Sequence, residues 1–203
     1  MARNHVLTAK VWHSPQVRWL RQSLSVDRLY RNLSAHRRRL PDYLIVGAQK
    51  SGTTSLWEYL NEHPSVEPSA KKEMNYFDMH YQRGGAWYRS HFPLQHDHGL
   101  AGTTSPTTQT GESCANYMFH PLAPQRAAET VPDAKIIFLL RNPVDRAFSH
   151  YQLKLRRRQE MLSFEEAIAA EPERLAGEEE KIVRDPTYSS PPHNWYSYLA
   201  RGR

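Results

Sequence analysis

A lysine, three hydroxyl residues and two glycines stand together at Gly47-Ala48-Gln49-Lys50-Ser51-Gly52-Thr53-Thr54. The apolar run Tyr43-Leu44-Ile45-Val46 precedes them and the helix-forming Ser55-Leu56-Trp57-Glu58-Tyr59-Leu60 follows. A strand, a tight loop and a helix in that order can hold a phosphate. Small residues let backbone N–H groups curl around the anion, and the positive end of the helix dipole points at it. Lys50 adds a mobile cation, and Ser51, Thr53 and Thr54 add hydroxyl donors. The lysine precedes the last glycine, whereas the G-x-x-x-x-G-K-[ST] loop of kinases and ATPases places it after. That order argues against nucleoside-triphosphate hydrolysis. Taken alone, the segment also fits a plain polar strand-to-helix connection.

A second segment pairs with the first. Ala134-Lys135-Ile136-Ile137-Phe138-Leu139-Leu140 has the short apolar, β-branched character of a buried strand, entered from the turn-like Pro132-Asp133. It runs into Arg141-Asn142-Pro143-Val144-Asp145-Arg146-Ala147-Phe148-Ser149-His150-Tyr151. Pro143 suits the first turn of a helix, and Asn142 suits its N-cap. Arg141 is then expected at the carboxyl end of the strand, with Ser149 about two turns into the helix. A guanidinium fork and a hydroxyl so placed can hold a second phosphate. A P-loop hydrolase would commonly offer an Asp near a strand end for Mg²⁺. This strand ends in Arg.

Together the two segments resemble sulfotransferases that use 3′-phosphoadenylyl sulfate (PAPS). The first is similar to their 5′-phosphosulfate loop and the second to their 3′-phosphate motif, and the similarity runs from about Pro41 to Tyr151. It is strongest to the branch holding the heparan sulfate N- and O-sulfotransferases and their bacterial relatives. The resemblance implies an α/β fold: a P-loop-like three-layer α/β/α domain with a central parallel sheet. It implies PAPS as donor, adenosine 3′,5′-bisphosphate as product, and no metal. By motif position, Lys50, Ser51, Gly52, Thr53 and Thr54 would hold the 5′-phosphosulfate, and Arg141 and Ser149 the 3′-phosphate. Lys50 would also stabilise the charge on the departing phosphate.

Sulfuryl transfer also needs a group to accept the acceptor's proton. Lys71-Lys72-Glu73-Met74-Asn75-Tyr76-Phe77-Asp78 resembles the E-x-x-[FY]-F segment in which that branch carries a glutamate base, which makes Glu73 the candidate. Lys72 beside it favours the charged carboxylate, and Lys72 and Asp78 are candidates for acceptor contact, with Asp78 alternatively organising Lys72. Tyr76 and Phe77 read as packing residues. Gly111-Glu112-Ser113-Cys114-Ala115-Asn116-Tyr117 resembles the family's G-E-x-[ST]-P-x-Y stretch. It departs at Cys114, where a hydroxyl residue is usual, and at Ala115, where proline would fix φ. Cys114, the single cysteine, reads as a small packing residue and excludes an intramolecular disulfide.

At 203 residues, 39% hydrophobic and 24% charged, the composition is that of one globular α/β domain. Residues 1–40 carry nine Lys or Arg against the single Asp27, more than the whole net charge of +6, so residues 41–203 are slightly acidic. The expected division is a basic arm over 1–40 and a sulfotransferase domain over 41–203. The arm suits a polyanion or an acidic surface, or is a loose extension. Val17, Leu20, Leu24, Leu29 and Leu33 suggest a short amphipathic helix in it. No motif specifies a nucleic acid partner, and His91, His96 and His98 lack metal-ligand spacing. Helices are expected over 55–62, 84–91, 121–130, 143–160 and 164–170, the last opened by a capping box at Ser163 and Glu166. Residues 171–184 are expected to be an exposed charged stretch, and 103–110 a loop.

No run is apolar enough for a membrane span or a signal sequence, which favours a cytoplasmic location. The family continues past a segment like His193-Asn194-Trp195-Tyr196 with a further strand and a donor-covering loop, so the C-terminal part of the fold is expected to be missing. Two functions follow. One is sulfuryl transfer from PAPS to a hydroxyl or amine, with a glycan or a small alcohol or amine as acceptor. The other is a truncated, non-catalytic remnant that binds a nucleotide or anion.

Overall fold

The computed structural model describes residues 25–95 and 108–185. At its centre lies a parallel sheet of three strands, β1 (Tyr43–Gly47), β2 (Gly111–Ser113) and β3 (Lys135–Phe138), in the order β2-β1-β3. The helices are α1 (Ser25–Leu33), α2 (Thr53–Glu62), α3 (Gly84–Arg89), α4 (Ala123–Thr130), α5 (Pro143–Arg156) and α6 (Phe164–Arg184). Every residue of β1 is buried, as expected of a central strand covered on both faces.

Side chains alternate across β1, and this divides the core into two. Leu44 and Val46 face an aromatic cluster of Met74, Tyr76, Phe77, Tyr88, Phe92 and Tyr117, closed by Ala123 and Val131. Tyr43 and Ile45 face the other way, onto Trp57, Leu56 and Leu60 of α2, Ile137 of β3 and Leu139 just beyond it. The result is the expected three-layer α/β/α order. A third cluster, Ala147, Tyr151 and Ala167 with Leu155, Leu162 and Phe164, joins α5 to α6.

Local signals end the elements where chemistry permits. Asn142 accepts from the N–H groups of Val144 and Asp145 ahead of Pro143, and Ser163 and Glu166 form the reciprocal capping box. α5 stops at Arg156, short of the expected 160, where Arg158 turns left-handed at φ 54°. α6 runs past the expected 170, because residues 171–184 are rich in Glu, Lys and Arg, strong helix formers. Pro172 is carried inside the helix, and Glu171 is buried beside Arg146 rather than exposed.

β3 differs from the expected buried strand. Ile137 and Leu139 pack on the Trp57 side, while Ile136, Phe138 and Leu140 on the opposite face are 46%, 56% and 79% exposed. The cause is position: β3 is the sheet edge, and no described element covers that face. In the basic segment, Leu29 and Leu33 of α1 are exposed, but Arg38 is buried and donates to the Phe92 carbonyl at 2.7 Å. Arg39 pairs with Asp42 at 2.8 Å. Val17, Leu20, Leu24, His96, His98, most of the 103–110 loop and the segment from His193 lie outside the described residues.

Gly111 is needed because the Tyr43 ring lies over it: a Cβ there would meet ring carbons within 2.1 to 2.5 Å. Gly111→Ala is expected to destabilise the fold by about 1–3 kcal/mol through overpacking. Tyr43→Leu in the same chain should recover part of that loss. Urea unfolding of the two variants checks both.

Candidate active site

In a parallel sheet all strands end at one edge, and open α/β sheets bind ligands there. Lys50 follows β1, Arg141 follows β3, and Glu73 is hydrogen-bonded at the end of β2, so three sequence-predicted groups share that edge. With order β2-β1-β3, the chain crosses to opposite sides of β1, and the crevice opens between β1 and β3.

The phosphate-loop candidate occupies that crevice. Lys50 is left-handed at φ 69°, and Gly52 is the N-cap of α2 at φ 97°, a conformation that favours glycine. No side chain caps the helix, which leaves the first N–H groups of α2 available to an anion. Ser51 Oγ is buried without a hydrogen-bond partner, although a hydroxyl in that position ordinarily has one. Thr53 is buried and Thr54 exposed. An uncapped helix start, an unpartnered hydroxyl and a lysine together fit a phosphate group.

The second motif closes on the first. Arg141, exposed to solvent, donates through Nη1 to the Lys50 carbonyl at 3.2 Å. Arg146 is buried and reaches the Gln49 carbonyl at 3.5 Å. Ser149, half-buried, lies three residues beyond Arg146 and so on the same side of α5. Arg146 had no assigned role in the sequence, though it stands inside the motif. Its position in the first turn of the helix that follows Arg141 is the signal that could have found it.

Glu73 stands on the other side of β1. Its N–H donates to the Ser113 carbonyl at 2.9 Å, and its carboxylate pairs with Lys72 at 2.8 Å, the glutamate side chain being 55% exposed. Asp78 does not reach Lys72 or the surface. It is 5% exposed, accepts from the Met79 N–H at 2.8 Å, and lies near Arg126, whose Nη1 donates to the Phe77 and Asp78 carbonyls. Cys114 is buried, its Sγ 2.9 Å from Asn75 Oδ1, and burial pushes its thiol well up, away from a nucleophile's range.

The family model described as "Sulfotransferase domain" matches residues 40–176. The chain belongs to the sulfotransferase family. Human bifunctional heparan sulfate N-deacetylase/N-sulfotransferase 3 is 42% identical over 120 residues, 56% of this chain and 13% of that protein. The membrane-associated sulfotransferase kil1 of Dictyostelium discoideum is 37% identical over 118 residues, 57% of this chain and 23% of that protein. The chain thus spans a small part of the curated relatives it matches. The crystal structure of a sulfotransferase from Alicyclobacillus acidocaldarius superimposes with a TM-score of 0.55 at 32% identity, over 81% of this chain and 64% of that one. No described helix is long and apolar enough to cross a membrane, and no group of three or more potential metal ligands occurs among the described residues.

One further group went unassigned in the sequence. Glu112 is fully buried and accepts from Tyr88 OH and Tyr117 OH, both at 2.6 Å. Burial pushes its carboxyl up to about 7, although both hydroxyls favour the charged form. Burial likewise raises Asp78 to about 6. Both groups hold their protons more tightly folded than unfolded. Their contribution to stability is therefore complete below the unfolded values near 4 and is lost as the pH rises through about 6 to 7. The unfolding free energy from urea titrations is expected to fall between pH 5 and 7.5, by at most about 1.4 kcal/mol per pH unit for each group. Glu112→Gln should make that slope shallower, as measured by urea titrations at both pH values.

Proposed function

We propose that this sulfotransferase moves a sulfuryl group from PAPS to a hydroxyl or amine of a carbohydrate acceptor. The single observation that carries the reading is the meeting of Arg141 with the Lys50 loop across the β1/β3 crevice. One loop suits one phosphate, whereas a cationic fork tied to that loop suits a donor with two separated phosphate groups. The names of the relatives favour an aminosugar or other glycan as acceptor.

The donor supplies an activated sulfur, with a nucleotide phosphate as leaving group. The backbone N–H groups at the start of α2, with Ser51, Thr53 and Thr54, would hold the 5′ end, and Lys50 would stabilise the charge that builds on the leaving phosphate. Arg141 and Ser149 would hold the 3′-phosphate. Glu73, paired with Lys72 and open to solvent, would take the acceptor's proton, and Lys72 would hold an anionic acceptor.

A second reading is favoured by the face of β3 that no described element covers: a chain that holds adenosine 3′,5′-bisphosphate without catalysing transfer. Incubation with radiolabelled PAPS and a panel of glycans, alcohols and amines separates the two. Sulfated product is expected, with kcat reduced about 10²–10⁴-fold by Glu73→Gln and about 10²–10³-fold by Lys50→Ala. Nucleotide binding without product would favour the second reading, and the absence of both would remove the donor assignment.

A further inference from the structure

Glu73 is held in an unfavourable backbone conformation, and the groups that hold it there are buried. Glu73 and Asn75 are both left-handed, at φ 55° and 53°, on either side of Met74, whose side chain is fully buried in the core. Non-glycine residues persist in that region when surrounding contacts over-determine them. Here the contacts come from β2 and the turn after it. The Glu73 N–H donates to the Ser113 carbonyl at 2.9 Å, and Cys114 Sγ meets Asn75 Oδ1. The Tyr76 N–H donates to Tyr117 OH at 2.8 Å.

Tyr117 can hold that N–H because its own proton is already committed. Tyr117 OH donates to Glu112 Oε1 at 2.6 Å, which turns its lone pair towards Tyr76, and Tyr88 OH donates to Glu112 Oε2 at 2.6 Å. Tyr88 also stacks on the Tyr76 ring, centroids 4.3 Å apart and planes at 11°. One buried carboxyl thus orients two phenols, one holding the Tyr76 backbone and the other its ring. Purely apolar packing would not require a fully buried carboxyl, whose desolvation is costly.

We propose that Glu112 and Tyr117 are positioning residues for Glu73: they lock the 73–76 turn so that the Glu73 carboxylate is presented at the carboxyl edge of the sheet. This inference rests on Glu73 being the base. A displacement of about 1 Å at a reacting group is enough to lower a rate roughly 10²-fold. The network's hydrogen bonds run among Glu112, Tyr88, Tyr117 and Tyr76 and not to the phosphate loop or Arg141, so their loss should act on the chemical step and leave donor affinity alone.

The test uses the full chain, with Tyr117→Phe and Glu112→Gln each made alone and in a Glu73→Gln background. Sulfate transfer from PAPS is followed at saturating donor and acceptor, together with amide hydrogen exchange at Tyr76. Expected for Tyr117→Phe are exchange at Tyr76 at least about ten times faster, kcat about 10–100-fold lower and an unchanged donor KM. Glu112→Gln should change kcat in the same direction, and neither substitution should lower the residual rate of Glu73→Gln further. Unaltered kcat in both variants while Glu73→Gln is inactive would overturn the positioning role and leave the base intact. An equal proportional loss with and without Glu73 would likewise overturn it, since the effect would then not pass through Glu73. Full activity of Glu73→Gln would instead remove the base, and this inference with it. Tyr117→Phe keeps the ring and its packing, so the test stands even if Glu112→Gln fails to fold.

Discussion

Two backbone hydrogen bonds join the ends of β1 and β3, and the candidate site depends on them. Leu139 N–H donates to the Gly47 carbonyl at 2.7 Å, and Ala48 N–H donates to the Leu139 carbonyl at 2.9 Å. They extend the ladder past the irregularity between Ile45 and Gly47, up to the point where both strands become loops. Gly47 is fitted to this junction, since a Cβ there would stand 2.9 Å from Met118 Cβ. Lys50 lies two residues beyond Ala48 and Arg141 two beyond Leu139, so this pairing brings two cations 91 residues apart in sequence to the same crevice.

The two sides of β1 are built by different physics. On the β3 side, charge is left available: Lys50 half-buried, Arg141 exposed, and α2 without a side-chain cap. Such a surface suits a ligand that brings its own negative charge. On the β2 side, Glu112, Tyr88, Tyr117 and the Tyr76 backbone form a hydrogen-bonded set beneath Glu73, while the buried hydroxyls of Thr110 and Ser113 have no partner. A buried network of this kind is stabilising only when complete, and when complete it rigidifies what it touches. A ligand at this sheet edge would meet cations on one side and the Glu73 carboxylate on the other.

Much of this was legible in the residues. The β1 loop and the Asn142-Pro143 helix start announce themselves through local chemistry, small residues and a cap, which act over a few positions. β3 was legible as a strand but not in its burial, because an apolar run does not say whether it lies at the centre or the edge of a sheet. Asp78 was misplaced for a related reason: beside Lys72 in an exposed-looking segment, it turns inward with the Tyr76-Phe77 aromatics that fill the core. Glu112 was quoted as part of a motif and left without a role. Its partners Tyr88 and Tyr117 are 24 and 5 residues away, and no periodicity links them. Glu171 shows the reverse case, where charge suggested exposure and Arg146 drew the side chain inward, while Glu173, Lys181 and Arg184 further along the same helix are exposed as expected.

Two loops meeting at the β1/β3 crevice would form one site for a donor with two separated phosphates. Titration calorimetry with adenosine 3′,5′-bisphosphate and with adenosine 5′-phosphate, on the unaltered chain, Arg141→Ala and Lys50→Ala, tests it most directly. The unaltered chain should prefer the bisphosphate by at least about tenfold, as expected from a charge-assisted pair worth roughly 1.5–3 kcal/mol. Arg141→Ala should abolish that preference while keeping the monophosphate affinity, and Lys50→Ala should weaken both nucleotides together. Equal affinity of the unaltered chain for the two nucleotides, or a preference that survives Arg141→Ala, would contradict the account.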